Sequence, residues 1–191
     1  MATTSVRVAA LKEWAVTIRA LDRGQQILLL RKGGISEERK EFLVEHEEFY
    51  LYPTYEHQRE DLLKPAYHDD LRATLGESPG PSEVVVTNWA RVAEVHTVTE
   101  PEVVDALSPF YIWTTSYAQE RLHWRPRKPL HVLLVRVYRL VEPVRLPVRP
   151  EYGGCKSWLD LDPLPERARV PVLSDAAFAT QAEAVRRVLQ P

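Results

Sequence analysis

Polar, aromatic and glycine residues with recognisable binding chemistry follow three hydrophobic stretches of the sequence. They are Arg31, Lys32 and Gly33 after the first stretch, Tyr52, Thr54, Tyr55, His57 and Gln58 after the second, and Gly153, Gly154 and Trp158 after the third. Cations bind phosphates, aromatic rings stack on bases for about 1–3 kcal/mol each, and amides pair with base edges. Because rigid strands hold such groups at their ends, we expect the three ends to converge on one side of a sheet.

A fourth segment, residues 110–129, mixes aromatic and basic residues. Its candidates for contacts with phosphates and bases are Trp124, Arg125, Arg127 and Lys128. Taken singly, most tryptophans are buried and most arginines are solvated. The recurrence of aromatic rings beside cations nevertheless favours a module that binds nucleic acid or a nucleotide. The predicted partner is RNA, another single-stranded nucleic acid or a nucleotide.

A second hypothesis makes the chain a small hydrolase that acts on a nucleoside or a nucleic acid. Its catalytic candidates are Cys155 and a histidine base, His46 or His57. A cysteine needs a nearby base or cationic surroundings to be a thiolate at neutral pH. Lone cysteines are more often small buried residues, so we expect slow alkylation of Cys155. A third hypothesis is a protein-interaction module, which requires buried aromatic residues and no cleft.

The patterns that mark metal and cofactor sites are missing from the sequence. Its histidines show no tight ligand spacing, and neither a Walker phosphate loop nor Gly-x-Gly-x-x-Gly occurs. The single cysteine excludes an internal disulfide and a multi-cysteine zinc site. We therefore predict no metal and no cofactor.

Length and charge narrow the class of protein. The chain has 191 residues, 45% of them hydrophobic and 27% charged, which is typical of one soluble domain. A net charge of -2 argues against non-specific coating of nucleic acid. No apolar run approaches the ~20 residues of a membrane span, so no membrane partner is predicted. Lys12 and Glu13 interrupt any signal-peptide core, and we expect a cytoplasmic protein.

The most hydrophobic run, residues 130–140, predicts a buried central strand. Pro143 and Pro147 are expected to end its pairing, because proline donates no hydrogen bond to a neighbouring strand. The glycine-containing stretch that follows is interpreted as a functional loop.

Periodicity and capping signals predict the remaining elements. Residues 9–22 favour a helix ended by Gly24, although residues 15–21 also alternate like a strand. The other predictions are strands over 26–31, 42–46, 49–52, 84–86 and 90–98, a helix capped by Thr54, a helix over 68–75, a helix after a capping box at 99–102, and a helix from Ser174 to Leu189. Together they predict an α+β fold with a mixed, mostly antiparallel, barrel-like sheet and flanking helices. Residues 1–173 would form a single domain, and residues 174–191 a C-terminal packing helix.

The segments LKEW, ILLLRKGG, FYLYPTYEHQ, RPRKPLHVLLVRVYRL and RPEYGGCKSW together resemble an uncharacterised bacterial family, known only as a domain of unknown function. This resemblance covers most of the chain and implies no activity. A helix that holds Trp14, then Gly24, then a strand that ends in Arg31 is similar to the opening of ASCH domains. These are PUA-like small β-barrels that bind RNA or modified nucleobases, and some members are amidohydrolases or nucleases.

Two departures separate the chain from the ASCH pattern. The usual Gly-x-Lys turn is replaced by Gly24-Gln25-Gln26, and the usual Glu-x-Arg strand end is replaced by Leu29-Leu30-Arg31. The catalytic lysine and glutamate of that family therefore have no clear counterparts. The resemblance implies a PUA-like binding fold more than it implies chemistry.

Overall fold

The described part of the chain forms one seven-stranded sheet and five helices. The computed structural model describes residues 7–32, 44–124, 128–154 and 156–190. The strands are β1 (Val8–Trp14), β2 (Leu28–Arg31), β3 (Glu48–Thr54), β4 (Glu83–Val98), β5 (Leu130–Pro147), β6 (Trp158–Leu161) and β7 (Arg169–Pro171). The helices are α1 (Ala15–Asp22), α2 (His68–Gly76), α3 (Pro101–Ala106), α4 (Thr115–His123) and α5 (Asp175–Leu189). None of these helices is long and apolar enough to cross a membrane.

The sheet has the order β2-β5-β4-β3-β1-β6, and β7 pairs with β5. β1 and β3 are parallel, and the other described pairs are antiparallel. The sheet curls, because Leu11 of β1 and Leu29 of β2 share one core cluster although three strands lie between them. The described strands do not close into a barrel. The predicted α+β class with a mostly antiparallel sheet is confirmed.

β5 is buried on both faces, which explains its nearly continuous hydrophobic run. Val132 and Leu134 lie in the core between the sheet and the helices. Leu133 and Val135, which alternate with them, lie in the core on the inner side of the curled sheet. A strand covered on both faces has no solvent side to alternate with, so its sequence shows little polar periodicity. The predicted central strand is confirmed.

A wide bulge interrupts the pairing of β4 with β5. Asn88 pairs with Arg139 and Val86 pairs with Val144, so one residue of β4 faces four residues of β5, residues 140–143. Pro143 lies in this bulge, where no ladder hydrogen bond is required. The prediction that Pro143 ends the pairing was therefore wrong, and β5 continues to Pro147.

The N-terminal prediction was correct for only half of its length. Residues 8–14 form β1, and the helix begins at Ala15. Apolar residues occupy both faces of this short strand and also the helix, so the pattern resembled one longer helix. Gly24 does end α1, with a φ of +66°, and its N–H donates to the carbonyl of Leu21.

Other element predictions had mixed outcomes. The helix over 68–75 and the helix capped by Ser174 are confirmed, and the Ser174 hydroxyl accepts from the N–H of Ala177. Thr54 is the last residue of β3 and caps no helix, and the capping box at 99–102 does not form. The two predicted strands over 84–86 and 90–98 are one strand, β4. Residues 44–46 of the predicted strand 42–46 are not in a strand, and residues 42–43 lie outside the described ranges.

Helix α5 packs on the same core as the central strands. Ala182 and Val185 lie fully buried in the cluster that contains Val132 and Leu134. Arg186 fixes the other side of the helix by two hydrogen bonds to the Glu94 carboxylate of β4, at 2.9 and 2.6 Å. The division of the chain into a domain over 1–173 and a terminal helix stays a prediction.

Candidate functional site

The bulge in β5 opens a cleft of about 560 Å³ beside helix α1. We call it the arginine cleft. Its polar lining consists of Arg19 and Asp22 from α1, Tyr55, Thr74 and Glu77 from the next segments, Thr87 and Asn88 from β4, and Arg139 and Arg145 from β5. Because residues 140–143 leave the ladder, the side chains on either side of the bulge separate and the floor becomes accessible.

A polar network, buried at Asn88 and open to solvent at Arg139, forms part of the floor of the arginine cleft. The carboxylate of Asp22 accepts hydrogen bonds from Asn88 Nδ2 and from Arg139 Nε and Nη2, each at 2.8 Å. Asn88 is fully buried, and its Oδ1 accepts from the hydroxyl of Thr87 at 2.6 Å. Because each of these polar atoms has a hydrogen-bond partner, the network holds α1 against β4 and β5 and makes the cleft more rigid.

A second cleft, of about 430 Å³, adjoins the first. We call it the tyrosine cleft. It is lined by Lys12 from β1, by Tyr52, Pro53, Thr54, Tyr55 and Glu56 from the end of β3 and the turn after it, by Ser78, Gly80, Pro81, Glu83 and Val84, and by Val148, Tyr152, Gly153 and Gly154. Pro53 and Tyr55 line both clefts. Both volumes lie within the range of about 300–1,000 Å³ found for small-molecule sites.

Lys12 ties the glycine loop to the sheet. Its Nζ donates to the carbonyl oxygens of Tyr152 and Gly154, the latter at 3.1 Å. Gly154 has a φ of +77°, and a Cβ placed there would meet no atom within 4 Å. The glycine therefore serves the backbone conformation of the loop rather than close packing.

The three tyrosines of the tyrosine cleft have different exposures. Tyr52 and Tyr152 are 5% and 6% exposed and meet edge to face at 5.9 Å between ring centroids. Burial, and then the neighbouring Tyr152, raise the pKa of the Tyr52 hydroxyl. Tyr55 is half-buried at the boundary of the clefts, and burial followed by the charge of Glu77 raises its pKa. Tyr52 and Tyr152 thus form a fixed floor, while the ring of Tyr55 is accessible to a ligand.

The two clefts carry opposite formal charges. In the arginine cleft, three arginines face two carboxylates, which leaves an excess of one positive charge. In the tyrosine cleft, one lysine faces the carboxylates of Glu56 and Glu83, which leaves an excess of one negative charge. Tyr55 stands between them. The combined groove therefore has a positive and a negative end, joined by an aromatic ring.

The described residues contain no group of three or more histidine, cysteine or carboxylate side chains placed to hold a metal ion. Three of the carboxylates that line the clefts, those of Asp22, Glu77 and Glu83, accept hydrogen bonds from arginines. Asp22 is bound by Arg139, and Glu83 accepts from Arg145 Nη1 at 3.0 Å. The chemistry available in the groove is hydrogen bonding, charge pairing and stacking.

A family model described as "Domain of unknown function (DUF1802)" matches residues 10–184. The chain belongs to this family. The match runs from β1 into α5 and includes both clefts, and the prediction of a domain-of-unknown-function family is confirmed. The chain matches no curated protein and no solved structure. Its resemblance to ASCH and other PUA-like domains stays a prediction.

Two of the three predicted strand ends meet within the matched region. Tyr52, Thr54 and Tyr55 line the same cleft as Gly153 and Gly154. These positions are far apart in sequence, and they meet because β1 pairs with β3 while the Lys12 side chain of β1 holds the glycine loop.

Arg31 does not join them. Its Nη2 donates to Glu13 Oε2 at 2.9 Å and to the carbonyl of Lys12 at 2.6 Å. Glu13 and Lys12 are consecutive on β1, so their side chains point to opposite faces. Arg31 therefore lies on the face of β1 opposite to the tyrosine cleft, and the prediction that all three ends share one side was wrong.

Lys32, the second predicted phosphate ligand, is also buried. It is 3% exposed, and its Nζ donates to the carbonyl of Leu122 at the end of α4. Burial lowers the pKa of this amine. Basic residues after a strand are usually solvated, but Lys32 lies against the end of α4 and is covered.

Gln58 and His57 occupy a sharp turn after β3. His57 is exposed and has a φ of +63°, a left-handed conformation that non-glycine residues seldom adopt. The reversal turns Gln58 inward, where its Oε1 accepts from the N–H of Val16 in the first turn of α1, at 2.9 Å. Gln58 is thus a helix-capping residue in this structure.

Three other predicted site residues that the structure describes, Trp158, Trp124 and Lys128, line neither cleft. Trp158 packs edge-on against Phe49 and His46, at 5.0 and 5.3 Å between ring centroids, so it belongs to the core of β6. Trp124 is 42% exposed just after α4, and Lys128 is half-buried before β5. Gly33, Arg125, Arg127 and Cys155 lie outside the described residues, as does any test of a cysteine nucleophile.

The sequence predictions missed most of the arginine cleft. Asp22, Asn88, Arg139 and Arg145 were not among the predicted site residues. One signal was present: a proline inside an otherwise continuous strand pattern, Pro143, marks a bulge, and bulges often border functional sites.

Proposed function

We propose that the protein binds a nucleotide, either free or as an exposed nucleotide of a single strand, across the two adjoining clefts. The observation that carries the proposal is the opposite charge of the clefts on either side of Tyr55. A nucleotide has the matching layout, with an anionic phosphate at one end and a base with N–H donors at the other. A long strand would place phosphates in both clefts, and the negative one would repel them.

The base stacks on Tyr55 in the tyrosine cleft. The ring of Tyr55 is accessible, and the rings of Tyr52 and Tyr152 close the floor below it. Gly154 is exposed and lines the tyrosine cleft, so a ribose can approach its backbone closely. Stacking of this kind contributes about 1–3 kcal/mol per base and tolerates every base.

The phosphate lies against Arg145. Arg139 is held by three hydrogen bonds to Asp22, two to its carboxylate and one to its carbonyl oxygen. Arg145 instead has one bond to Glu83, and the two side chains are 67% and 36% exposed. An exposed ion pair of this kind contributes about 0–1 kcal/mol and uses one N–H of Arg145, so the other N–H groups can turn to a phosphate at little cost.

The stacking role is tested by titrating 5′-mononucleotides and a short single-stranded RNA into the protein by calorimetry at low salt. Tyr55→Ala is expected to weaken binding by about 1–3 kcal/mol, because the stacking surface is lost. Tyr55→Phe keeps the ring and serves as the matched control, with binding close to that of the parent. The proposal is refuted if neither ligand binds at concentrations up to about 1 mM.

The phosphate role has a separate test, which compares each 5′-monophosphate with its nucleoside. Arg145→Gln should weaken binding of the monophosphate and leave the nucleoside unchanged, since only the phosphate meets the arginine. Equal weakening of both ligands would show that Arg145 acts through the shape of the cleft instead.

Three parts of the proposal rest on the sequence alone. They are the binding of RNA, a PUA-like binding mode, and a bacterial, cytoplasmic setting. A hydrolase based on Cys155 has no support in the described residues, which do not include that cysteine. A protein-interaction module was favoured only if no cleft existed, and two clefts are present.

A further inference from the structure

The ion pair between Arg145 and Glu83 crosses the boundary between the two clefts. Arg145 lines the arginine cleft, Glu83 lines the tyrosine cleft, and Arg145 Nη1 donates to Glu83 Oε2 at 3.0 Å. Glu83 begins β4 and pairs with Pro147 of β5, so its backbone is held by the central strand pair. The pair thus presents a cation to one cleft and a carboxylate to the other from a rigid part of the sheet.

The carboxylate of Glu83 has unused acceptor capacity. Two carboxylate oxygens offer about four acceptor positions, and Arg145 takes one of them. With 36% of the side chain exposed, the carboxylate remains accessible to a ligand in the tyrosine cleft. It can therefore accept N–H groups from a base while Arg145 stays beside it and turns its other N–H groups toward a phosphate.

Guanine fits this arrangement better than the other common bases. Its Watson–Crick edge presents two adjacent donors, N1–H and the 2-amino group, which match the two oxygens of a carboxylate. Adenine and cytosine each place a ring acceptor beside their amino group, and uracil places carbonyl oxygens on both sides of its single donor. In those three bases an acceptor faces the negative carboxylate, and the contact is repulsive.

We infer that Glu83 makes the groove selective for guanine nucleotides. The inference rests on the proposed nucleotide-binding function and adds its base preference. Glu56 also lines the tyrosine cleft, but it lies on the exposed turn beside His57. Glu83 is the reader of the base because its backbone is fixed on a strand by pairing with β5.

The test compares GMP, IMP and AMP by calorimetry with the parent protein and with Glu83→Gln. GMP and IMP differ only in the 2-amino group, so their ratio isolates the second hydrogen bond. The parent should bind GMP about tenfold or more tightly than AMP, with IMP between them, as expected for a bidentate base contact. Glu83→Gln should weaken binding of GMP and bind AMP at least as tightly as the parent does, because the neutral amide no longer repels the ring acceptor of adenine, so that the preference for GMP is lost.

Glu60→Gln is the matched control, because Glu60 also pairs with an exposed arginine, Arg72 at 2.7 Å, but lines neither cleft. It should keep the preference for GMP. Equal binding of the three nucleotides by the parent would overturn the guanine inference while the proposed function stands. The guanine inference would also be overturned if Glu83→Gln kept the preference for GMP, or if it weakened binding of all three nucleotides equally. Absence of binding by any nucleotide would remove the proposed function itself.

Discussion

Replacing Arg31 tests whether this arginine is structural, as its surroundings indicate, or a ligand for phosphate. The guanidinium bonds the carboxylate of Glu13 and the carbonyl of Lys12, and the Arg31 and Glu13 side chains are only 10% and 9% exposed. Arg31→Met removes the cation and leaves a buried carboxylate. Loss of one partner from a buried pair costs about 3–5 kcal/mol, a large part of the roughly 5–15 kcal/mol that holds a typical domain folded.

The free energy of unfolding is measured by urea denaturation with tryptophan fluorescence as the probe. The double variant Glu13→Met with Arg31→Met should be more stable than Arg31→Met, because no charge is then buried alone. Arg91→Met changes an exposed arginine of β4 and should alter stability by about 0.5 kcal/mol at most. The reasoning is refuted if Arg31→Met changes stability by less than about 1 kcal/mol, or if it abolishes nucleotide binding in a fully stable protein.

Two further substitutions test the packing around α1 and α5. Gly24→Ala should destabilise the protein by about 1–2 kcal/mol or more, since its φ is +66° and the new Cβ would lie 2.6 Å from Leu173 Cδ2. Gly76→Ala, with no atom within 4 Å of its Cβ, should be neutral or stabilising in the same urea experiment. The hydrogen bond from Arg186 holds the pKa of Glu94 below its ordinary value of 4.5. The ionised Glu94 carboxylate therefore stabilises the folded protein fully above pH 4.5, and this contribution is lost as the pH falls through the lowered pKa. Arg186→Ala should therefore lower the thermal midpoint at pH 7 and flatten its fall between about pH 5 and pH 3.

Each of these two expectations has a distinct contrary result. A Gly24→Ala variant as stable as the parent would mean that Leu173 moves away at no cost. For the fall of the thermal midpoint at acid pH, the control is Arg187→Ala on the exposed side of α5, since the Arg187 side chain is 77% exposed. If the thermal midpoint falls equally steeply with acid in the parent and in Arg186→Ala, the lowered pKa of Glu94 does not depend on this arginine.

Local signals in the sequence were sufficient for several elements. The hydrophobic run over 130–140 predicts a strand buried on both faces, and β5 has that environment. Ser174 before an amphipathic stretch predicts the start of α5, and Gly24 predicts the end of α1. These features depend on side chains within a few residues of one another, so the sequence alone contains their cause.

The site itself was decided by contacts between distant parts of the chain. Asp22 and Arg139 are 117 residues apart, and Lys12 and Tyr152 are 140 residues apart, yet each pair is joined by a hydrogen bond. Arg31 has the sequence context of an exposed cation, but the curl of the sheet brings it against Glu13 and buries both. Whether a polar side chain is solvated, paired or accessible to a ligand depends on what the fold places around it. That surrounding comes from strand pairing and from the bulge of β5, and no local pattern in the sequence specifies it.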